Sequence, residues 1–191
     1  MSSLDEQPVV FSPEIERKFF IKEIPFDLWS YPHEEIIQWY YKDPKDGAKK
    51  RIRQKGNTYE FAIKMGEGLI RQEWQKNISK KQFDELRKLV DKNFLKKTRY
   101  YIPYHNRIIE LDIYKNLEWL MIAEIEFDNE YEASGFIPPA RFNKELTGIK
   151  EAKNSYLAKY WKENLLHILS QTKKIPTPLD WLSSEASTFL N

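Results

Sequence analysis

Between residues 14 and 127 the chain repeatedly sets two charged residues of one sign two positions apart, in short segments whose intervening residues are largely apolar. Five such pairs recur: Glu14 and Glu16, Arg51 and Arg53, Lys97 and Arg99, Glu110 and Asp112, and Glu124 and Glu126. In an extended strand residues i and i+2 point to the same side about 6.6 Å apart, so each segment reads as a strand with one charged and one apolar face. At an effective dielectric of 20, two like charges at that distance repel by roughly 2.5 kcal/mol. One charged stripe is ordinarily a solvated outer face, but ordinary surfaces mix their signs. Against a total stability of about 5–15 kcal/mol, five same-sign pairs in a confined space need a neutralising partner.

Eight segments carry this alternation: Glu14–Ile21, Glu35–Lys42, Lys49–Gln54, Tyr59–Met65, Leu69–Ile78, Leu95–Ile102, Arg107–Tyr114 and Leu120–Phe127. Turn signals separate several of them, at Asp43-Pro44, Asp46-Gly47, Lys55-Gly56-Asn57, Gly66 with Gly68, and His105-Asn106. Eight short strands predict a barrel or a sandwich. Ser79 followed by Gln82 forms a capping box for a helix whose apolar face is Phe83, Leu86, Leu89 and Val90. A second helix is expected from Asn154 or Ser155 to about Ser170, with Tyr156, Leu157, Tyr160, Trp161, Leu165, Ile168 and Leu169 as its stripe. That stripe suits packing on the same chain or a dimer contact equally well. Residues 1–12 read as a loose leader, 13–172 as one domain and 173–191 as a tail.

The balance of 31 Lys+Arg against 29 Asp+Glu excludes a polybasic nucleic-acid arm, and no nucleic-acid partner is expected. The absence of cysteine removes disulfides and thiolate chemistry. No apolar run approaches the roughly 18 residues of a membrane-spanning helix, so a cytoplasmic protein without a membrane partner is expected. His33, His105 and His167 fit no metal-ligand spacing.

The apolar faces, among them Phe61, Ile63, Leu111, Ile113, Ile125 and Phe127, need cover, which the two helices are expected to supply from outside. The charged faces then turn inward onto one polar lumen. Clustered Asp and Glu oxygens suit Mg²⁺ or Mn²⁺, and Arg and Lys suit phosphate oxygens, so such a lumen fits a metal–polyphosphate complex.

Glu14-Ile15-Glu16-Arg17-Lys18-Phe19 resembles the E-x-E-x-K opening signature of the CYTH, or triphosphate tunnel metalloenzyme, superfamily. The following motifs come in that family's order: Arg51 and Arg53, Lys64 ahead of a Gly-containing turn, Arg71-Gln72-Glu73, Lys97-Thr98-Arg99-Tyr100, Glu110-Leu111-Asp112, then Glu124-Ile125-Glu126-Phe127. The resemblance spans residues 13 to about 159. Through Phe136-Ile137-Pro138-Pro139 and Glu145-Leu146-Thr147 it points to the compact bacterial members that cleave inorganic tripolyphosphate. It implies an α+β fold, an eight-stranded antiparallel β-barrel (the triphosphate tunnel) with flanking helices. It also implies Mg²⁺- or Mn²⁺-dependent hydrolysis of a triphosphate.

Carried over by position, the resemblance implies metal ligands at Glu14, Glu16, Asp112, Glu124 and Glu126, with Glu110 a further candidate. It implies phosphate contacts at Lys18, Arg51, Arg53, Lys64, Arg71, Lys97, Arg99 and Lys150, with Tyr40 near the substrate. Glu14, Glu16 and Lys18 are the expected catalytic set. The chain departs from the family's usual pattern at Lys49, Gln75, Ile149 and Glu151. Relatives of this fold act on nucleoside, thiamine or RNA triphosphates or cyclise ATP, and these stand as alternatives. A non-catalytic polyphosphate-binding module stands beside them, but it leaves the carboxylate pairs unexplained.

Overall fold

The computed structural model describes residues 10–23, 27–41, 48–90, 92, 94–115 and 120–160. Alternation folds as expected: eight strands form, β1 (Ser12–Ile21), β2 (His33–Tyr40), β3 (Lys49–Lys55), β4 (Thr58–Met65), β5 (Ile70–Asn77), β6 (Phe94–Tyr104), β7 (Arg107–Tyr114) and β8 (Met121–Phe127). Every pairing is antiparallel, in the order β5-β4-β3-β2-β6-β7-β8-β1, and β1 pairs back onto β5 to close an eight-stranded barrel. A short β9 (Phe142–Glu145) lies along the later half of β1.

The first helix, α1 (Lys80–Arg87), begins at the Ser79–Gln82 capping box but ends sooner than its apolar pattern suggested. Lys88 N–H bonds back to Glu85 and Leu86, closing the last turn, and Leu89 is left exposed. Only Phe83 is buried; its ring lies 4.8 Å from Tyr59 and 5.7 Å from Trp39, covering the outside of the β3–β4 region.

Cover for Leu111, Ile125 and Phe127 comes from elsewhere than the two expected helices. A six-residue helix, α2 (Glu130–Gly135), packs there through Ala133, together with Leu28, Phe136 and Phe142. One turn and a half with a single buried residue is too short to leave a 3.6-residue period in the sequence. Its signals are capping ones, Asn129 accepting from Glu132 N–H, and Glu130 and Glu132 in the first turn.

α3 (Asn154–Tyr160) starts where the sequence placed it. Its continuation towards Ser170, the tail 173–191, leader residues 1–9 and the turn at 43–47 lie outside the described residues. Leu157 and Ala158 of α3 pack on Leu95, Tyr114, Leu120, Ile122 and Leu146. By strand alternation Leu95 shares the face of Lys97, Tyr114 that of Asp112, and Ile122 that of Glu124. The inward face therefore changes from charged to apolar near α3, which plugs that part of the barrel. Tyr114 Oη donates to Asn154 Oδ1 at 2.6 Å, giving the buried phenol a partner. Among the described residues no helix is long and apolar enough to cross a membrane.

Arg17 fastens the outer layer to the barrel. Its guanidinium donates to Glu145 Oε1 at 2.8 Å and Oε2 at 2.7 Å, and to the carbonyls of Ala133 at 3.0 Å and Phe136 at 2.8 Å. It also stacks on Phe19, 5.0 Å from the ring centre. One planar fork thus joins β1, α2 and β9, a geometry that lysine cannot reproduce. Arg17→Lys should cost about 2–3 kcal/mol and lower the melting temperature by roughly 4–10 °C. An unchanged thermal melt would remove Arg17 from this role.

Candidate active site

Inside the barrel lies a cavity of ≈ 350 Å³ whose lining is almost entirely charged or polar. Because the strand order sets β7, β8 and β1 side by side, the carboxylates of Glu110, Glu124, Glu126, Glu14 and Glu16 form one continuous wall. Register sharpens this. Glu16 lies directly across from Glu126, and Glu110 directly across from Glu124. Arg51, Arg53, Lys64, Lys97 and Arg99 come from β3, β4 and β6, and Lys49 stands opposite Lys64 in the same way.

The same-sign pairs are not left uncompensated, as strand-by-strand reading implied. Opposite charges meet across strands. Lys18 Nζ lies 2.6 Å from Glu124 and 3.5 Å from Glu16, and Arg71 Nη2 lies 2.6 Å from Glu16 and 3.1 Å from Glu14. Lys64 donates to Glu14 at 2.5 Å and lies 3.2 Å from Glu73. Arg53 Nε donates to Glu60 at 2.8 Å, and Arg51 reaches Glu73 at 3.5 Å. Alternation within one strand reveals which charges share a face, whereas this pairing depends on register between strands.

The deepest group centres on Asp112, which is fully buried. Arg99 grips it with two bonds of 2.7 Å and reaches Glu124 at 2.6 Å, while also pairing with Glu110; Lys97 shares the Asp112 Oδ2 with Arg99. Burial, with the neighbouring Arg99, draws the Lys97 ammonium down to about 8, against the pull of Asp112 and Glu124. Burial would raise Glu124, but Lys18, Lys97 and Arg99 hold it well below the usual carboxylate range. Burial would likewise lower Lys18, yet Glu124 and Glu16 carry it above the ordinary lysine value. Glu126 is the opposite case: although the residue keeps an exposed surface, desolvation of its carboxylate, with Glu110, Glu14 and Glu16 close by, pushes it up to about 7.

Of the residues singled out in the sequence, Glu14, Glu16, Lys18, Tyr40, Arg51, Arg53, Lys64, Arg71, Lys97, Arg99, Glu110, Glu124 and Glu126 line this one cavity. Asp112 stands behind the lining with its oxygens held by Arg99 and Lys97. Lys150 is exposed on a 3-10 turn, outside the lining. Lys153, three residues on, reaches the lumen instead, because the turn at Lys150–Ala152 carries the chain inward there. Tyr40 is half-buried, desolvation pushes its phenol up to about 12, and its Oη accepts from Gln38 at 2.8 Å.

Glu60, Lys55 and Lys153 also line the cavity without having been singled out. Glu60 was within reach of the alternation, since it shares a face with Lys64. Lys55 reads as a turn residue but extends β3, and Lys153 lies in an irregular segment with no period. Among the described residues no three acidic or histidine side chains already converge as ion ligands do. Glu14, Glu16 and Glu124 are drawn instead to lysine or arginine groups.

No protein-family model matches the chain. The chain is similar to an inorganic triphosphatase of Nitrosomonas europaea (strain ATCC 19718 / CIP 103999 / KCTC 2705 / NBRC 14298), with 38% identity over 149 residues, 76% of this chain and 96% of the relative. The crystal structure of the inorganic triphosphatase NE1496 matches with a TM-score of 0.56 at 34% identity, covering 76% of this chain and 93% of that one. A crystal structure of the hypothetical protein NE1496 matches with the same TM-score at 35% identity, covering 76% and 97%. With the ordered motifs, the closed barrel and its charged lumen, this similarity shows that the chain belongs to the CYTH, or triphosphate tunnel metalloenzyme, superfamily.

Proposed function

We propose that the chain hydrolyses linear triphosphates, inorganic tripolyphosphate above all, with Mg²⁺ or Mn²⁺ held by carboxylates of the lumen. The observation that carries this reading is the register: Glu16 against Glu126 and Glu110 against Glu124, in the same cavity as Lys49 against Lys64. Like charges directly opposite each other destabilise a sheet by up to about 1 kcal/mol. A hard divalent ion relieves the acidic pairs, and phosphate oxygens relieve the basic one.

By their donor chemistry Glu14, Glu16, Glu124 and Glu126, with Glu110, fit such an ion. Asp112 serves on this reading as a positioning residue that fixes Arg99 and Lys97. When bound, the metal supplies charge neutralisation on the phosphate oxygens. Arg53, Lys64 and Arg71 exchange carboxylate partners for phosphate oxygens and, with Arg51 and Lys18, hold the chain in line. Glu14 or Glu16 accepts a hydrogen bond from the attacking water. The water oxygen bonds to the terminal phosphorus, the bridging P–O bond breaks, pyrophosphate leaves, and the proton passes to the carboxylate that held the water. Such transfer needs positioning and electrostatics and no covalent nucleophile.

The lining also favours a substrate without an organic leaving group. Its one aromatic ring is Tyr40, whose hydroxyl is engaged by Gln38, so the described residues offer no apolar platform for a nucleobase or a thiazolium ring. The Nitrosomonas relative, an inorganic triphosphatase, agrees with this preference.

Phosphate release from tripolyphosphate, ATP and thiamine triphosphate, compared with Mg²⁺, Mn²⁺ or EDTA, tests the proposal. Metal-dependent release, fastest from tripolyphosphate, is expected, and Glu16→Gln should reduce it at least a hundredfold, the loss typical of a general base. Wild-type turnover by Glu16→Gln would rule out an essential role for Glu16, and no release from any substrate would sink the hydrolase reading. Arg53→Ala should raise KM about tenfold or more, and an unaltered concentration dependence would count against its phosphate contact.

Glu126 makes a separate prediction for the metal-free protein. Its folded value of about 7 lies above the ordinary 4.5, so the stability it contributes is complete below about pH 4.5 and lost as pH rises through 7. In EDTA the wild type should therefore lose ground to Glu126→Gln in thermal melts between pH 5 and 7.5. A difference between the two that stays constant with pH would contradict this environment for Glu126.

A further inference from the structure

Beside the start of α3 the lumen has charged lining that the proposed reaction uses only through Lys49. There Lys49 at the start of β3, Glu67 in the β4–β5 turn and Lys153 just ahead of α3 line the same cavity as Arg51 and Arg71. Lys153 Nζ donates to Glu67 Oε1 at 2.9 Å. Three ammonium groups act on that one carboxylate: Lys153 foremost, then Lys150 and Lys49, together hold it below its ordinary value. The two segments come close because both turns use glycine in the left-handed region, Gly68 at φ +85° and Gly148 at φ +75°. A Cβ on Gly148 would stand 3.7 Å from the Gly68 Cα.

The two partners are unequal. The Lys153 side chain is 18% exposed and the Glu67 side chain 81%, so the lysine is fixed against the lumen while its carboxylate sits in water. An ion pair with one partner so exposed is worth little and is readily exchanged. A phosphate group offers more oxygens and, at a chain end, more charge, and lysine binds phosphate as a point charge without strict geometry.

We infer that Lys153, beside Lys49, forms a subsite for the part of a linear polyphosphate, longer than three phosphates, that extends out of the lumen, with the Glu67 carboxylate holding its place when no such chain is bound. The inference rests on the lumen being a polyphosphate site. It makes Glu67 and Lys153 determinants of preferred chain length. Glu67 competes with the outermost phosphate and Lys153 attracts it.

The test is calorimetric titration of tripolyphosphate and tetrapolyphosphate into the full chain carrying Glu16→Gln, with Mg²⁺ and again with EDTA, alone and combined with Lys153→Met or Glu67→Gln. Without the second change, tetrapolyphosphate should bind about three- to tenfold more tightly than tripolyphosphate, the scale of one added charged contact. Lys153→Met should bring that ratio close to one, with a smaller loss of tripolyphosphate affinity from the removed positive charge, and Glu67→Gln should widen it. The ratio is the diagnostic quantity, because removing a negative charge strengthens the binding of every anion to some degree. Equal affinities for the two chains, or a ratio that neither change moves, would overturn the subsite and leave the triphosphate reading standing. Failure of both chains to bind would overturn the two together.

Discussion

Charged side chains inside a small barrel have left bulk water, and the structure depends on their finding opposite charges on neighbouring strands. Removing an ion from water costs several kcal/mol even after relaxation, and leaving one buried without a partner costs about 3–5 kcal/mol. With Lys18, Arg51, Lys97, Arg99, Glu16, Asp112 and Glu124 all buried, a few mismatches would consume the entire stability of a domain this size. The strand register prevents this. It sets Lys18 across from Glu124, Arg99 across from Asp112, Arg53 across from Glu60 and Arg71 across from Glu14. A one-residue slip would turn every one of these groups to the outside and bring the apolar face inward.

Closure of the barrel and its outer supports follow from that requirement. β1 is central because its two faces do different work: Glu14, Glu16 and Lys18 enter the lumen, while Ile15, Arg17 and Phe19 hold the outer layer. Arg17 draws α2 and β9 onto the barrel, and the Thr147 hydroxyl continues the link, donating to Glu145 at 2.7 Å and accepting from the Lys18 N–H at 3.0 Å. The backbone that carries Lys18 is thereby tied to the same network as the outer cover. At the α3 end the inward face turns apolar, and the contact of Leu157 and Ala158 with Leu95, Tyr114 and Ile122 excludes water from that part of the lumen.

All eight barrel strands were legible because alternation at period two is a property of neighbours in sequence. Their limits shifted by a residue or two, as at β2, which begins at His33 rather than Glu35. The lining was legible for the same reason, since Glu14, Arg53, Lys64 and Glu124 each share a face with another charged residue. The partners were not, because the meeting of Lys64 with Glu14 across fifty positions of sequence is decided by barrel closure. Asp112 shows the limit most sharply. Its alternation matches that of Glu110, yet Glu110 lines the cavity while Asp112 is enclosed by Arg99 and Lys97, a difference of depth that no single-strand pattern contains. Lys153 and α2 were hidden because irregular turns and a six-residue helix have no period to read.

Depth also sorts the ion pairs by what they can do. Lys97 and Asp112 are at most 1% exposed, and exchanging their partners would strand a charge in the interior. Arg99, shared among three carboxylates, is similarly confined and acts as a fixed positive charge at the floor of the lumen. Lys64, at 22% exposure, and Arg53, at 12%, lie nearer water, so their carboxylate partners can be replaced by phosphate oxygens with little loss. A polyanion that releases Lys64 and Arg71 also frees Glu14 and Glu16, two of the carboxylates proposed for the divalent ion. Anion and cation then each remove the competitor of the other, which by linkage makes their binding mutually reinforcing. A lumen that is self-neutralised in isolation is thereby suited to admit a metal and a phosphate chain together, and resists taking up either alone.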